Sequence, residues 1–129
     1  MSVFPSDLAL QRLQKKKHTW NAELSQFEYL LKQITKGLAH IGKKHPQLPM
    51  VSRLEHKVHL LQKHIRKVRS QIIQFDYYIH QNHKKLSETG SQHYLPENEE
   101  RISHNILYLE LELDDLKEHF FELETEYSH

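Results

Sequence analysis

Apolar residues recur at spacings of three and four along three long segments, and this periodicity constrains the fold more than any other sequence feature. The first segment contains Leu10, Leu13, Lys17, Trp20, Leu24, Phe27, Leu31, Ile34, Leu38 and Ile41. The second contains Val51, Leu54, Val58, Leu61, Ile65, Val68, Ile72, Phe75, Ile79, Asn82 and Leu86. The third contains Ile102, Ile106, Leu109, Leu113, Leu116, Phe120, Leu123 and Tyr127. A strand alternates with a period of two, so these patterns predict three amphipathic helices, each with one apolar heptad seam.

Residues that end or begin helices lie between the three seams. We expect helices over residues about 6–42, 49–89 and 96–127, with Ser6 capping the first and Gly42 ending it. Pro49 and Pro96 suit the first turns of the second and third helices. The short joints require antiparallel neighbours. The sequence therefore predicts an all-α, antiparallel up-down-up three-helix bundle with coiled-coil packing, as one domain over residues 1–129.

Two other assemblies would use the same seams. In one, helices of two chains pair as separate coiled-coil dimers; in the other, the third helix leaves its own chain and packs in a second copy. The periodicity does not distinguish these from a bundle within one chain.

Composition excludes several classes of protein. The chain has no cysteine, which removes disulfides, zinc-thiolate sites and thiol nucleophiles. No apolar run approaches the ~20 residues of a membrane span, and no secretory signal is present, so we expect a cytoplasmic protein without membrane contact. Nucleophile elbows, glycine-rich phosphate loops and paired catalytic carboxylates are also absent. The sequence predicts neither an enzyme nor a bound cofactor.

Twelve histidines are unusual in a chain of 129 residues. Two triplets have the helical spacing of metal ligands: Asp76, His80 and His83, and Asp115, His119 and Glu122. Such triplets arise by accident on helices rich in histidine and acid, so we expect no metal site. Whether the histidines respond to pH stays open, since their pKa values lie near neutrality.

Charge is sorted by helix. Residues 6–44 and residues 49–89 each carry eight Lys or Arg against three acids, whereas residues 96–129 carry two against eleven. Basic residues point outward on the first two helices, where they could bind nucleic acid or another polyanion. The candidate residues for this alternative function are Lys15, Lys36, Lys63, Arg66 and Lys67.

Three polar residues interrupt or end the seams: Lys17, Asn82 and Glu99. Antiparallel packing brings all three to the end of the bundle that holds the second turn, and Lys17 should reach Asp76 or Glu110 rather than stay buried. Polar seam residues commonly set the register of a coiled coil. A pocket or hinge at this end is the alternative, which His83, His104 and Asn105 would support by pointing into it.

Apolar residues also occupy outward positions of the third helix. The candidate interface residues are Leu107, Tyr108, Leu111 and Phe121. Leu111 lies on the side of the helix opposite the seam, so burial in the bundle core cannot explain an apolar residue at this position. The sequence therefore favours a noncatalytic helical interaction protein, an adaptor, scaffold or regulatory bundle, that forms a homodimer or higher homo-oligomer. Contact between two third helices is its simplest form.

Overall fold

The computed structural model describes the backbone of residues 5–89 and 95–127 and the side chains of residues 8–81 and 98–127. The described chain forms three helices: α1 (Pro5–Lys44), α2 (Pro49–Thr89) and α3 (Leu95–Tyr127). Each helix packs against both others, so the predicted three-helix bundle is confirmed, and α3 packs within its own chain.

The helix ends differ slightly from those expected from the sequence. α1 runs two residues past Gly42, because the backbone N–H of His45 still donates to the carbonyl of Ile41 at 2.8 Å. Gly42 therefore does not end the helix. α1 already begins at Pro5 and α3 at Leu95, so Ser6 lies inside α1 and Pro96 is one residue inside α3.

The core is built from the three predicted seams. Apart from Lys17, the described seam residues are buried or are partly buried and packed on the core. Between α1 and α2, the Trp20 and Phe75 rings meet edge to face with centroids 5.3 Å apart. Leu30 and Tyr78 are half-buried at the flanks, as expected for positions beside the seam. Burial of large apolar side chains, about 1.5–3 kcal/mol each, therefore holds the bundle together.

Gly37 lets α1 and α3 approach closely. A Cβ atom placed at Gly37 would lie 2.3 Å from Cζ of Phe120, which is closer than any real contact. Phe120 is a seam residue of α3, and its ring occupies the space that a side chain at position 37 would need. The glycine is therefore explained by packing, although it costs helix stability in the middle of α1.

Side-chain contacts set the antiparallel register of α2 and α3. The amide of Asn105 donates to Gln71 at 2.9 Å, and the rings of Tyr108 and His64 lie 5.4 Å apart. Nearer the first turn, Lys57 contacts Asp115. These three contacts show which residues of α2 and α3 lie side by side. Such residues have the same position along the bundle axis, which is called their height below.

Candidate functional site

The outward face of α3 exposes a group of apolar side chains. The exposed fractions are 52% for Leu107, 50% for Tyr108, 60% for Leu111 and 67% for Phe121. Leu111 is a neighbour of both Leu107 and Tyr108 on the helix surface because it follows them by four and three residues. Phe121 lies on the same side as Leu107, about four turns later. These four residues are named the apolar patch below. All four sequence-predicted interface residues are thus accessible.

Leu60 on α2 extends the apolar patch, and the sequence did not identify it. Leu60 is 54% exposed and lies one helical turn from both Lys57 and His64, which contact α3. Its height therefore matches that of Leu111. Arg53, Leu60 and Lys67 are seven residues apart, so they lie on one line along α2. The sequence did not show that this line runs beside α3, which became clear only from the contacts between the two helices.

His64 stands at the junction between Leu60 and Tyr108. Its Nε2 atom is buried and has no hydrogen-bond partner among the described residues. Burial, and then the nearby positive charge of Lys67, lower the pKa of His64 below its ordinary value. This shift favours the neutral form of the imidazole, which lies beside the Tyr108 ring with centroids 5.4 Å apart.

One basic side chain at the flank of the α2 seam pairs with α3, and another pairs with α1. The ammonium of Lys57 lies 2.7 Å from Asp115 and 3.3 Å from Glu112. The hydrogen bond to Asp115 raises the Lys57 pKa above its ordinary value. Arg69 instead turns to α1, where its Nε donates to Glu28 at 2.7 Å. Arg69 therefore links α2 to α1 and not to acidic α3.

The candidate polyanion-binding residues are all exposed and form no ion pair with any described residue. They are Lys15, Lys36, Lys63, Arg66 and Lys67. Lys63 is a neighbour of both Arg66 and Lys67 on one exposed part of α2 because it precedes them by three and four residues. Lys15 and Lys36 lie on α1, with about six helical turns between them. The α2 group is therefore the more concentrated positive surface.

Acidic side chains face each other in the groove between α1 and α3. Glu23 is half-buried, and its pKa is raised, first by burial and then by the charge of Glu110. The two residues line a cleft of about 320 Å³ together with Trp20 and Leu107. The α1 side of the apolar patch is therefore acidic.

The polar seam residues are satisfied by charge pairs. Lys17 reaches Asp76 at 2.8 Å with a quarter of its side chain exposed, so the expectation that it escapes burial is confirmed. Glu99 has only 9% exposure and lies 2.7 Å from both Arg12 Nη1 and Lys16 Nζ. The Asn82 side chain lies outside the described residues.

A cleft of about 360 Å³ lies between α2 and α3 at this end, but neither His104 nor Asn105 lines it as the pocket alternative required. Asn105 bonds to Gln71 on α2, and His104 is exposed. His83 lies outside the described side chains. The charge pairs of Lys17 and Glu99 instead link α1 to α2 and α1 to α3, which is the register-setting arrangement that polar seam residues commonly provide.

Removal of the Glu99 charge should destabilise the bundle by about 1 kcal/mol at pH 7. Burial raises the Glu99 pKa, but hydrogen bonds from Arg12 and Lys16 outweigh it, so the net pKa lies below its ordinary 4.5. The charged form therefore stabilises the fold above about pH 4.5, and this contribution disappears as pH falls through the folded-state pKa. Urea unfolding should separate wild type from Glu99→Gln at pH 7, and the difference should shrink progressively as the pH falls below about 4.5.

The control for this prediction is Glu100→Gln. Glu100 is the exposed neighbour of Glu99 and forms no ion pair with any described residue, so its variant should match wild type within ~0.5 kcal/mol at pH 7. Equal stability of the Glu99→Gln variant and wild type at pH 7 would contradict the stabilising role of the pair with Arg12 and Lys16.

Of the two histidine triplets, only Asp115, His119 and Glu122 lie wholly within the described side chains, since His83 of the other triplet lies outside them. His80 and His119 each approach the aspartate four residues earlier, at 3.4 Å from Asp76 and 3.6 Å from Asp115. Those aspartates already bind Lys17 and Lys57. Over the side chains that the structure describes, no three His, Asp or Glu residues are placed to hold one ion.

A cleft of about 370 Å³ lies beside the first turn, where α2 meets the end of α3. Its wall includes Met50, Arg53, His119, Glu122 and Tyr127. Arg53 of α2 and Glu122 of α3 lie on opposite walls of the cleft, although they are not in ion-pair contact. It is therefore a groove with unpaired charges on both sides, next to the apolar patch.

None of the described helices combines the length and apolar character needed to cross a bilayer. Comparison of the chain with protein-family models, with curated proteins and with solved structures finds no match. A function for this chain must therefore be inferred from its own surfaces, of which the apolar patch on α3 is the most unusual.

Proposed function

We propose that this chain is a noncatalytic helical interaction protein that self-associates through a surface containing the apolar patch. The observation that supports this proposal is the position of Leu111, which is 60% exposed on the outward side of α3 while Leu109 and Leu113 beside it fill the core. Leu60 on α2 and Leu107 and Tyr108 on α3 are also at least half exposed and lie within about one turn of its height. Burial of such a surface against a partner is favourable.

Replacement of Leu111 by glutamate should weaken self-association at least tenfold, about 1.4 kcal/mol. The new carboxylate would be desolvated at the contact and would add to the negative charge of α3. Sedimentation at tens to hundreds of micromolar measures the change. Helicity by circular dichroism should stay the same, because the Leu111 side chain is outside the core.

Ile73→Glu is the matched control for this prediction. Ile73 is 69% exposed on α2, but it lies beside Asp76 and Arg69, which contact α1, and so is remote from the apolar patch. This variant should associate as wild type does. A wild-type chain that is monomeric throughout the concentration range would refute self-association.

The second candidate function is binding to nucleic acid or another polyanion. It is favoured by the adjacent, exposed and unpaired cations Lys63, Arg66 and Lys67 on α2. Duplex DNA should then bind at about 50 mM salt and dissociate steeply by about 200 mM, because phosphate contacts release counterions. Neutralisation of these three residues to glutamine should abolish binding, whereas Lys117→Gln on acidic α3 should not. Absence of DNA binding at low salt would exclude this function for duplex DNA.

A further inference from the structure

Leu60, Tyr108 and Leu111 form the apolar centre of one flat face made by α2 and α3. Tyr108 is held against His64 of α2, and Leu60 follows one turn away on the same line. The three apolar side chains are each at least half exposed. A partner that covers this face must therefore contact both helices, and not α3 alone.

The charges around this centre are separated between the two helices. Arg53 lies on the α2 edge, seven residues before Leu60, and Glu118 and Glu122 lie on the α3 edge. All three are exposed, and none forms an ion pair with a described residue. The face is therefore basic along one edge and acidic along the other, and between them lie the three apolar side chains and the ion pair of Lys57 with Asp115.

Contact between two α3 helices would oppose acid with acid. Asp114, Glu118 and Glu122 are exposed on and beside the outward side of α3, and the groove toward α1 holds the mutually repelling Glu23 and Glu110. Like charges placed directly opposite each other are strongly unfavourable at an interface. The helix best suited to cover α3 is therefore one with free cations, and α2 has them.

Symmetry determines which helices meet when two such faces associate. A two-fold axis perpendicular to the helices and lying in the contact plane places α3 on α3 and α2 on α2. A two-fold axis parallel to the helices places α2 of each copy on α3 of the other and leaves every residue at its original height. Only the second arrangement brings the basic edge of one copy against the acidic edge of the other.

We propose that two copies of this chain pair through their α2–α3 faces about a two-fold axis parallel to the helices, so that the partner's α2 covers the apolar patch on α3. This rests on the self-association proposed above and specifies its geometry. Leu60 then lies opposite the partner's Leu111, and Arg53 lies opposite the partner's Glu118, since each pair shares a height in the α2–α3 register.

The size of the face indicates a weak, exchanging dimer. Between Arg53 and Lys67 it is about 20 Å long, and two adjacent helices are about 20 Å wide, which gives about 400 Å² per copy. Stable complexes bury ~800 Å² per partner. The dimer should therefore dissociate in the micromolar range, and mixed variants should exchange partners readily.

Single-cysteine variants test the geometry directly, because the natural chain has no cysteine to interfere. Leu60→Cys and Leu111→Cys are prepared separately, checked for wild-type helicity and association under reducing conditions, and treated with a short bismaleimide alone and as an equal mixture. The mixture should cross-link efficiently into a heterodimer. Each variant alone should cross-link at least tenfold less.

Charge reversal provides a second test that needs no apolar substitution. Arg53→Glu and Glu118→Lys should each weaken self-association about tenfold, because each homodimer then contains two repulsive contacts. Their mixture should recover wild-type affinity, since both contacts of the heterodimer again join opposite charges. Arg53 and Glu118 are exposed, so both variants should keep wild-type helicity.

The outcomes separate the geometry from self-association itself. Cross-linking of Leu111→Cys with itself would establish α3–α3 contact and overturn the proposed geometry while self-association survives. Association without cross-linking in the mixture, and without recovery on mixing the charge variants, would likewise overturn it. Wild-type protein that stays monomeric at hundreds of micromolar would overturn both proposals.

Discussion

Replacement of Phe75 by alanine should lower the free energy of unfolding by about 3–5 kcal/mol. Phe75 is 2% exposed, and its ring packs edge to face on Trp20 of α1. The substitution removes apolar burial and leaves a cavity that two rigid helices can fill only partly. Urea unfolding followed by Trp20 fluorescence and by circular dichroism measures the loss at low protein concentration.

Ile73→Ala is the control on the same helix. Ile73 is 69% exposed, so its truncation should change stability by less than ~0.5 kcal/mol. Trp20 is the only tryptophan, and its emission in folded Phe75→Ala should shift because the ring contact is lost. A cost below ~1 kcal/mol for Phe75→Ala would show that α1 and α2 do not pack around this pair.

Replacement of Gly37 by alanine should destabilise the bundle by about 1 kcal/mol, the reverse of its effect in an unpacked helix. Alanine stabilises a helix interior by about 1 kcal/mol relative to glycine. The new methyl group would overlap the Phe120 ring, and overpacking costs about 1–3 kcal/mol. The steric effect should exceed the gain in helix propensity, which thermal or urea unfolding would reveal.

The sign should reverse when Phe120 is also removed. In a Phe120→Ala background the space beside position 37 is open, so Gly37→Ala should stabilise the protein by about 1 kcal/mol. The double-mutant cycle would then give a coupling of about 2 kcal/mol between the two positions. Equal effects of Gly37→Ala in both backgrounds would mean that the ring moves away without cost.

The helical seams were predictable because their information is local. A spacing of three and four places residues on one side of a helix whatever the helix packs against. Val51 and Ile79 are therefore buried at opposite ends of one continuous seam, as expected. The prediction that Gly42 ends α1 was wrong because a glycine near a helix end also fits inside the last turn. At this position Val51 lies close to the glycine.

The partners of individual side chains were less predictable. Lys57 and Arg69 occupy opposite flanks of the α2 seam, and only the structure shows that Lys57 pairs with α3 and Arg69 with α1. Which flank faces which neighbour depends on how the helices are arranged around the core, and the heptad pattern does not contain that information. The Leu60 extension of the apolar patch was missed for the same reason.

The sequence alone determined the three helices, their antiparallel order, the core residues and the outward position of Leu111, since all of these follow from periodicity and short joints. Only the tertiary structure showed that Phe120 packs over Gly37 and that Glu99 forms ion pairs with Arg12 and Lys16. It also showed that Leu60 lies at the height of Leu111. Such contacts depend on the rotation and register of one helix against another, which packing of complete side chains sets.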